Sequence, residues 1–198
     1  MDTNTIKASI ANWTAICNNS AQLISYLGQG DCFMYDHVTY SLPSTHIHAY
    51  LGIYQGKLYF FLIPATYDNA IYSTTIAQYT TVCPIQNVLG GAADRVTPTV
   101  AKARIKAWEG NYKVWVPQQV NGNSGIFKVF VIPTQDFEAQ TAQVSLALRG
   151  SSSAIGGFKA DLIVTNNLGS QIVYDDFVEP VPPFGASVYA QNKFYLLP

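Results

Sequence analysis

The stretch from Thr45 to Ala65, THIHAYLGIYQGKLYFFLIPA, decides the fold. Its first half alternates apolar residues with histidines and tyrosines, which is the two-residue period of a β-strand. Gln55-Gly56 can form a two-residue turn, and the apolar run after it supplies a return strand from Lys57 to Ile63. The stretch therefore predicts a β-hairpin.

The turn also predicts which residues of the hairpin face each other, because a two-residue loop pairs Tyr54 with Lys57. The same register gives three apolar pairs on the core face: Ile53 with Leu58, Leu51 with Phe60 and Ala49 with Leu62. The second face is nearly as apolar, since it carries His48, Tyr50, Tyr59, Phe61 and Ile63. Such a face is not left in water, so a neighbouring helix or another subunit must cover it.

Two helices are predicted, and in each the apolar residues recur at spacings of four, three and four. The first runs from Asp2 to about Leu27, with the Asn18-Asn19 pair as a point where it can break. The second starts with Thr97 as N-cap and Pro98 in the first helical position. The apolar positions are Ile6, Ile10, Trp13 and Cys17 in the first helix and Ala101, Ile105, Trp108 and Tyr112 in the second.

The two helices share a sequence pattern. Lys, Ala, Ile and Trp coincide when IKASIANW (6–13) is set against AKARIKAW (101–108), and FLIPATYD (61–68) resembles FVIPTQDF (130–137). Each half then consists of a helix, strands and an apolar strand closed by Ile-Pro. We therefore expect an internal repeat of residues 1–90 and 97–140, with chance similarity of two amphipathic helices as the alternative.

Residues 141–198 are predicted to form a β-rich C-terminal region with an extended arm. Alternating runs at 144–148, 158–164 and 171–174 indicate strands, and the prolines of VEPVPPFG (178–185) require extended backbone. Together with the helices and the hairpin, these strands predict an α+β fold with largely antiparallel sheet. We expect residues 1–198 to form a single compact unit.

Charge is scarce in this chain: Asp, Glu, Lys and Arg make up 12% of the residues and the net charge is −1, whereas an ordinary soluble domain has roughly 25%. Without a basic excess, nucleic-acid binding is not expected. The 13 tyrosines and the scarcity of lysine and glutamate resemble the composition of protein interfaces. These features favour a homo-oligomer or an extended assembly, with another protein partner as the alternative.

The sequence contains no run of 18 apolar residues, and its first residues, MDTNTIKASIANW, have no apolar run of signal-peptide length. We therefore expect no membrane span and a cytoplasmic location, although non-classical export would leave no trace in the sequence. Cys17, Cys32 and Cys83 lie far apart without C-x-x-C spacing. They are expected to be buried hydrophobic residues and not a disulfide framework or a zinc site.

The order of a Trp-bearing N-terminal helix, the hairpin HAYLGIYQGKLYFFLIPATYDN and the late segment IVYDDFVEPVPPFG resembles a set of small uncharacterised proteins of Bacteroidetes-type bacteria. Members of that set have a YLGI-like strand, a turn, a return strand ending in Asp-Asn or Asp-Gly, and a late Tyr-Asp…Pro-Pro element. The resemblance implies no activity. It speaks against a metal at His48, because the corresponding position in the set is often an arginine.

Two histidines of the hairpin are candidates for metal binding. His46 and His48 lie on one face of the predicted strand, about 6 to 7 Å apart by strand geometry, and His37 precedes them. A metal site needs a third ligand and an ordered second shell, for which the upstream candidates are Asp31, Cys32 and Asp36. The aromatic residues on the same face favour a structural His pair, so no metal and no cofactor is expected.

The segment HAYLGIYQGKLYF is also similar to the His-bearing strand of NlpC-type cysteine amidases. In those enzymes the nucleophilic cysteine opens a helix, whose N-terminus lowers the pKa of the thiol. Here Cys32 follows the first helix, stands in the strand-like DCFMYD and comes only 16 residues before His48. This arrangement does not match, so no catalytic residue is assigned.

The function that follows is a non-enzymatic structural or interaction protein that associates with copies of itself. The alternative is a metal-dependent or cysteine-based enzyme, or a small-ligand binder, that uses the segment of His37, His46 and His48. The expected interface residues lie on the second face of the hairpin and in the C-terminal tail: His48, Tyr50, Tyr59, Phe61, Phe194, Tyr195, Leu196 and Leu197.

Overall fold

A computed structural model describes residues 1–87, 96–122, 125–176, 178–181 and 194–198. The helices of this part are α1 (Thr3–Ile16), α2 (Ser20–Leu27) and α3 (Pro98–Asn121). The strands are β1 (Cys32–Asp36), β2 (His46–Tyr54), β3 (Lys57–Pro64), β4 (Thr81–Pro84), β5 (Val129–Pro133), β6 (Thr141–Gly150), β7 (Phe158–Asn167), β8 (Ile172–Asp175) and β9 (Glu179–Val181). Short 3₁₀ turns follow β3 and β5, at Ala65–Tyr67 and Thr134–Asp136.

The predicted hairpin is present, with the predicted register. β2 and β3 pair antiparallel, with Tyr54 opposite Lys57 and Leu51 opposite Phe60. At the turn, Gln55 and Gly56 both have positive φ, 48° and 75°, as a type I′ turn requires. The turn residues therefore set the register, as expected from the sequence.

The strands form two antiparallel sheets, which confirms the α+β class. The five-stranded sheet has the order β4-β3-β2-β5-β9, and the four-stranded sheet has the order β1-β6-β7-β8. One apolar core includes the residues Leu51 and Phe60 of the first sheet together with Val144 and Leu162 of the second. The two sheets therefore pack face to face.

The C-terminal region is not a separate layer. β6, β7 and β8 share their sheet with β1 from the N-terminal part, whereas β9 pairs with β5 in the other sheet. Residues 182–193, which include most of the expected extended arm, lie outside the described residues. The strands expected within 141–174 are confirmed, but the two sheets mix both ends of the chain.

Each of these helices begins with a side-chain cap, and the cap of α3 is the one expected from the sequence. The Asp2 carboxylate accepts a hydrogen bond from the Thr5 backbone N–H at 2.9 Å and caps α1, and Asn19 caps α2 through the N–H of Gln22. The expected break at Asn18-Asn19 is thus confirmed. Thr97 caps α3 and Pro98 occupies its first turn. None of the helices in the described ranges has the length and apolarity that crossing a membrane requires.

Helix α1 lies directly on the second face of the hairpin. Its residues Ile6 and Ile10 pack there in one cluster with Tyr50 and Phe61. Gly52 of β2 makes this contact possible, because a Cβ atom at that position would lie 3.0 Å from the backbone carbon of Ser9 and 2.5 Å from the ring of Phe61. A glycine is therefore required where the helix crosses the strand.

The internal repeat stays a prediction, and its two halves differ in structure. Both Ile-Pro segments close a strand and lead into a 3₁₀ turn, and the two strands flank β2 on either side. However, the strands expected between the second helix and β5 are not found at 122 or 125–128. Trp13 and Trp108 lie in the same core, both 6.3 Å from the ring of Phe127.

Helix α3 is anchored to the four-stranded sheet by buried charges. Arg104 donates to the carboxylate of Asp161 on β7 at 3.2 Å and also pairs with Asp176, and Arg149 lies 3.7 Å from the same Asp161 oxygen. Asp161 is completely buried. Because burial outweighs the two arginines, the pKa of Asp161 is raised to about 7.

We expect Trp13→Ala to lower the free energy of unfolding by about 3 to 5 kcal/mol, because the side chain is fully buried. Trp13→Phe should cost less, about 1 to 3 kcal/mol, since it mainly removes the indole N–H that donates to the Phe127 carbonyl at 3.0 Å. Val114→Ala, at a position that is 65% exposed, is the control. A Trp13→Ala loss below 1 kcal/mol in urea denaturation would contradict this packing.

The pKa of Asp161 predicts a pH dependence of stability. Its folded-state value of about 7 lies above the ordinary 3.8, so the unfolded chain loses this proton first as the pH rises. The contribution of Asp161 is therefore largest below pH 4 and falls until about pH 7, by about 4 kcal/mol. Asp161→Asn should flatten this slope in urea denaturation between pH 4 and 7.5, whereas Asp176→Asn should retain it. An unchanged slope in Asp161→Asn would rule out this assignment.

Candidate functional site

The second face of the hairpin is covered within the chain itself. His48, Tyr50 and Phe61 are 5%, 0% and 0% exposed. Helix α1 covers one part of this face, and the residues Phe194–Pro198, which we call the C-terminal segment, cover another. The expectation that something covers this face is therefore confirmed, and a single chain supplies the cover.

A buried polar cluster lies under the C-terminal segment. Asp68 follows the 3₁₀ turn after β3, and one of its carboxylate oxygens, Oδ2, lies 2.6 Å from Nδ1 of His48. The hydroxyl of Tyr50 donates a hydrogen bond to the same oxygen. Because residues 48 and 50 lie on the same face of β2, the strand presents both side chains to one carboxylate.

Burial determines the chemistry of this His48–Tyr50–Asp68 cluster. The pKa of Tyr50 is raised well above its ordinary value, first by burial and then by the charge of Asp68, so the phenol keeps its proton and remains a donor. The second carboxylate oxygen of Asp68, Oδ1, has no hydrogen-bond partner among the described residues. The two hydrogen bonds to Oδ2 thus compensate much of the free-energy cost of burying this carboxylate.

The C-terminal segment contacts each side of the cluster. The ring of Phe194 lies 4.8 Å from that of His48, and the backbone of Leu196 lies near enough to the hydroxyl of Tyr50 to lower its pKa slightly against the larger effect of burial. Lys7 of α1 places its ammonium 4.1 Å from the ring centroid of Tyr195, a cation–π contact. We call the surface formed by Lys7, His48, Tyr50, Phe61 and Asp68 the docking groove.

The predicted interface residues lie against one another within the single chain. They do not form an open surface of the single chain: Phe194 and Leu196 are only 4% and 2% exposed, and they are buried against the hairpin face. Tyr59, Tyr195 and Leu197 are half-buried at the margin of the same cluster. The eight residues are thus brought together, as the two sides of an intramolecular contact.

The three histidines are not brought together as ligands. His48 binds Asp68, the half-buried His46 pairs with the Thr45 hydroxyl at 3.0 Å, and the ring of His37 lies 6.3 Å from that of Phe137. Throughout the part of the chain that the structure describes, no three His, Cys, Asp or Glu side chains are grouped to hold a metal ion.

The cysteines have the environment of hydrophobic residues. Cys17, Cys32 and Cys83 are buried and free, as expected. Burial raises the pKa of Cys17 to about 11 and those of Cys32 and Cys83 to about 12. Near neutral pH all three are thiols and not thiolates, so none is activated as a nucleophile.

Comparisons of the chain with protein-family models, curated proteins and solved structures found no match. The resemblance to Bacteroidetes-type proteins stays a prediction. The site is therefore interpreted from its own geometry.

The sequence analysis missed Asp68 and Lys7 as parts of the site. Asp68 belongs to the ATYDN segment after the Ile-Pro of β3, where an acidic residue is typical of a solvated turn. Its burial depends on contact with His48, which is 20 residues earlier in the chain. The available signal was an acidic residue four positions after Pro64, where the apolar strand β3 ends.

We expect His48→Ala to lower the free energy of unfolding by about 2 to 4 kcal/mol, because it removes one partner of a buried carboxylate. His46→Ala, in the half-exposed neighbouring position, should change stability by less than about 0.5 kcal/mol. Zinc or nickel should not raise the melting temperature of either chain. A metal-dependent rise of several degrees that His46→Ala abolishes would show that the native state binds metal.

Proposed function

We propose that this chain is a non-enzymatic structural or interaction protein that self-associates, and that copies associate by exchanging their C-terminal segments. The observation that carries the proposal is the seating of Phe194 and Leu196 in the docking groove. The segment of one copy would make the same contacts in the groove of another copy. Domain exchange of this kind needs no further interface.

The chain length allows such an exchange. β9 ends at Val181, and 12 residues of sequence, PPFGASVYAQNK, separate it from Phe194. A chain of 12 residues spans at most about 40 Å when extended. That distance is comparable with the size of a small domain, so a segment could reach a groove on an adjacent copy.

The energetics predict that exchange depends on concentration. The contacts are the same within and between copies, so the difference is the effective concentration of the chain's own segment, which is in the millimolar range for a short tether. Dilute protein should therefore be monomeric, and association should increase toward high micromolar concentrations. The low charge of the chain leaves little repulsion to oppose this association.

The geometry favours this proposal over the enzyme alternatives. The His48 and Asp68 pair resembles a general-base dyad, but the side chain of His48 is only 7% exposed and the tilted ring of Phe194 lies 4.8 Å from its ring. A general base must reach the proton that it abstracts. The polar cluster instead lies against the C-terminal segment, through the ring of Phe194 and the backbone of Leu196.

The remaining sequence expectations belong to the same proposal: a homo-oligomer or extended assembly, a second protein as an alternative partner, an internal repeat and a cytoplasmic location. Cell fractionation tests the location. Light scattering across a range of concentrations tests the assembly.

Exchange can be measured by crosslinking between two variants. Lys7→Cys and Tyr195→Cys place thiols on the two sides of the cation–π contact. When the two purified chains are mixed at high micromolar concentration and treated with a short bis-maleimide, a covalent heterodimer should form. The native cysteines are buried and should not interfere.

Two controls separate exchange from random collision. Lys7→Cys mixed with Leu168→Cys, an exposed position outside the groove, should give no heterodimer. Deletion of Phe194–Pro198 should lower the assembled mass in light scattering without unfolding the chain. Absence of the heterodimer after long incubation, together with a strictly monomeric mass, would refute the proposal.

A further inference from the structure

The C-terminal segment lies in the docking groove as a closed turn. The backbone N–H of Leu197 donates to the carbonyl of Phe194 at 3.1 Å, and a hydrogen bond from the fourth residue back to the first closes a β-turn. Such a turn is formed by four consecutive residues, so a short peptide can adopt it outside the parent chain. A preformed turn also loses less conformational entropy on binding than an open chain does.

The groove favours an aromatic ring at the first position of the turn. The ring of Phe194 lies 4.8 Å from that of His48 and 6.4 Å from that of Tyr50. The planes of Phe194 and Tyr50 meet at 83°, which is the edge-to-face arrangement that aromatic pairs prefer. Because Asp68 is hydrogen-bonded to both His48 and Tyr50, the two rings that receive Phe194 have fixed positions.

The third position of the turn is suited to an aliphatic side chain. Leu196 is 2% exposed and belongs to the same apolar cluster as Ile6, Val129 and Val131. A polar group in this place would lose its water and find only apolar neighbours. The buried side chains of Phe194 and Leu196 are therefore the two anchors of the turn.

A charged side chain lies against the second position of the turn. Tyr195 is half-buried, and the ammonium of Lys7 lies 4.1 Å from the centroid of its ring. A cation over the face of a ring is attracted to the π electrons, whereas a leucine in the same place offers only apolar surface. The neighbouring Ile6 is fully buried and holds this part of α1 against the hairpin. Lys7 is thus placed to distinguish an aromatic second residue from an aliphatic one.

We infer that the docking groove recognises a short turn with the order aromatic, aromatic, aliphatic, and that Lys7 determines the preference for a ring at the second position. The partner that fits this surface is the turn of another copy, in which Phe194, Tyr195 and Leu196 have that order. This selectivity rests on the proposed exchange for the identity of the partner. It concerns which sequence the groove binds, however, whereas exchange concerns whether copies associate, so the two can fail separately.

Binding is tested with the peptide KFYLLP, residues 193–198, which carries a fluorophore on its N-terminus. The receptor is the full chain with Phe194→Ala and Leu196→Ala, whose own turn lacks both anchors and leaves the groove vacant. Fluorescence anisotropy should show saturable binding to this receptor. Binding to the unsubstituted chain should be about tenfold weaker, because its own segment competes at a millimolar effective concentration. The peptide KAYALP, without the anchors, should bind more than tenfold more weakly to the receptor.

The role of Lys7 is tested with a second peptide, KFLLLP, in which leucine replaces the tyrosine. Adding Lys7→Met to the receptor keeps an aliphatic stem and removes the charge. This change should reduce the preference for KFYLLP over KFLLLP about threefold, as expected for the loss of one cation–π contact. Lys102→Met, at an exposed position of α3, is the matched control and should leave the preference unchanged.

Phe194→Ala alone serves as the receptor if circular dichroism shows that the double variant is misfolded. The selectivity is overturned if KFYLLP does not bind a folded receptor at millimolar concentration, if KAYALP binds as tightly, or if Lys7→Met leaves the preference for KFYLLP unchanged. Selective peptide binding without a crosslinked heterodimer of the full chains refutes the exchange alone. A heterodimer together with an unchanged preference in Lys7→Met refutes the selectivity alone.

Discussion

The two apolar faces of strand β2 impose the constraint on which the rest of the structure depends. β2 is the central strand of the five-stranded sheet, and seven of its nine residues are buried. A sheet that is apolar on both sides needs a layer on each side. The four-stranded sheet covers one face, whereas α1 and the C-terminal segment cover the other. The order of layers thus follows from one hairpin.

The cover of the second face combines apolar packing with one polar cluster. Phe61 and Ile63 supply buried apolar area there, but Asp68 brings a carboxylate into the same layer. A buried carboxylate is tolerated only when donors reach it, and these donors must be positioned to within a few tenths of an ångström. His48 and Tyr50 meet that requirement from a rigid central strand. The cluster therefore gives the contact of the C-terminal segment a defined orientation, which apolar side chains alone would not give.

Local patterns predicted the hairpin, its register and the cap of α3, because each of these depends on residues close together in the sequence. The pairing of β1 with β6 was not predictable, since the partners Asp36 and Thr141 are more than 100 residues apart. The pattern of each segment indicates a strand but does not indicate which strand it pairs with. For the same reason the polar cluster was missed, although His48 and Tyr50 were identified. The alternation of residues along the hairpin strands showed that the second face is apolar and must be covered. It contained no information on whether that cover comes from the same chain.

The two covers of the second face differ in how firmly the rest of the fold holds them. Helix α1 also carries Trp13, whose side chain is fully buried in the core between the sheets. Helix α1 therefore cannot detach without disrupting that core. The C-terminal segment has five described residues, and these belong to the apolar cluster of the second face, which also includes Ile6 of α1 and Val129 and Val131 of β5. In the proposed exchange this segment leaves the groove while α1 stays, as a local unfolding unit would. Under the proposed exchange, the C-terminal segment is thus the replaceable part of the cover, and its release would uncover the groove for an equivalent segment of another copy.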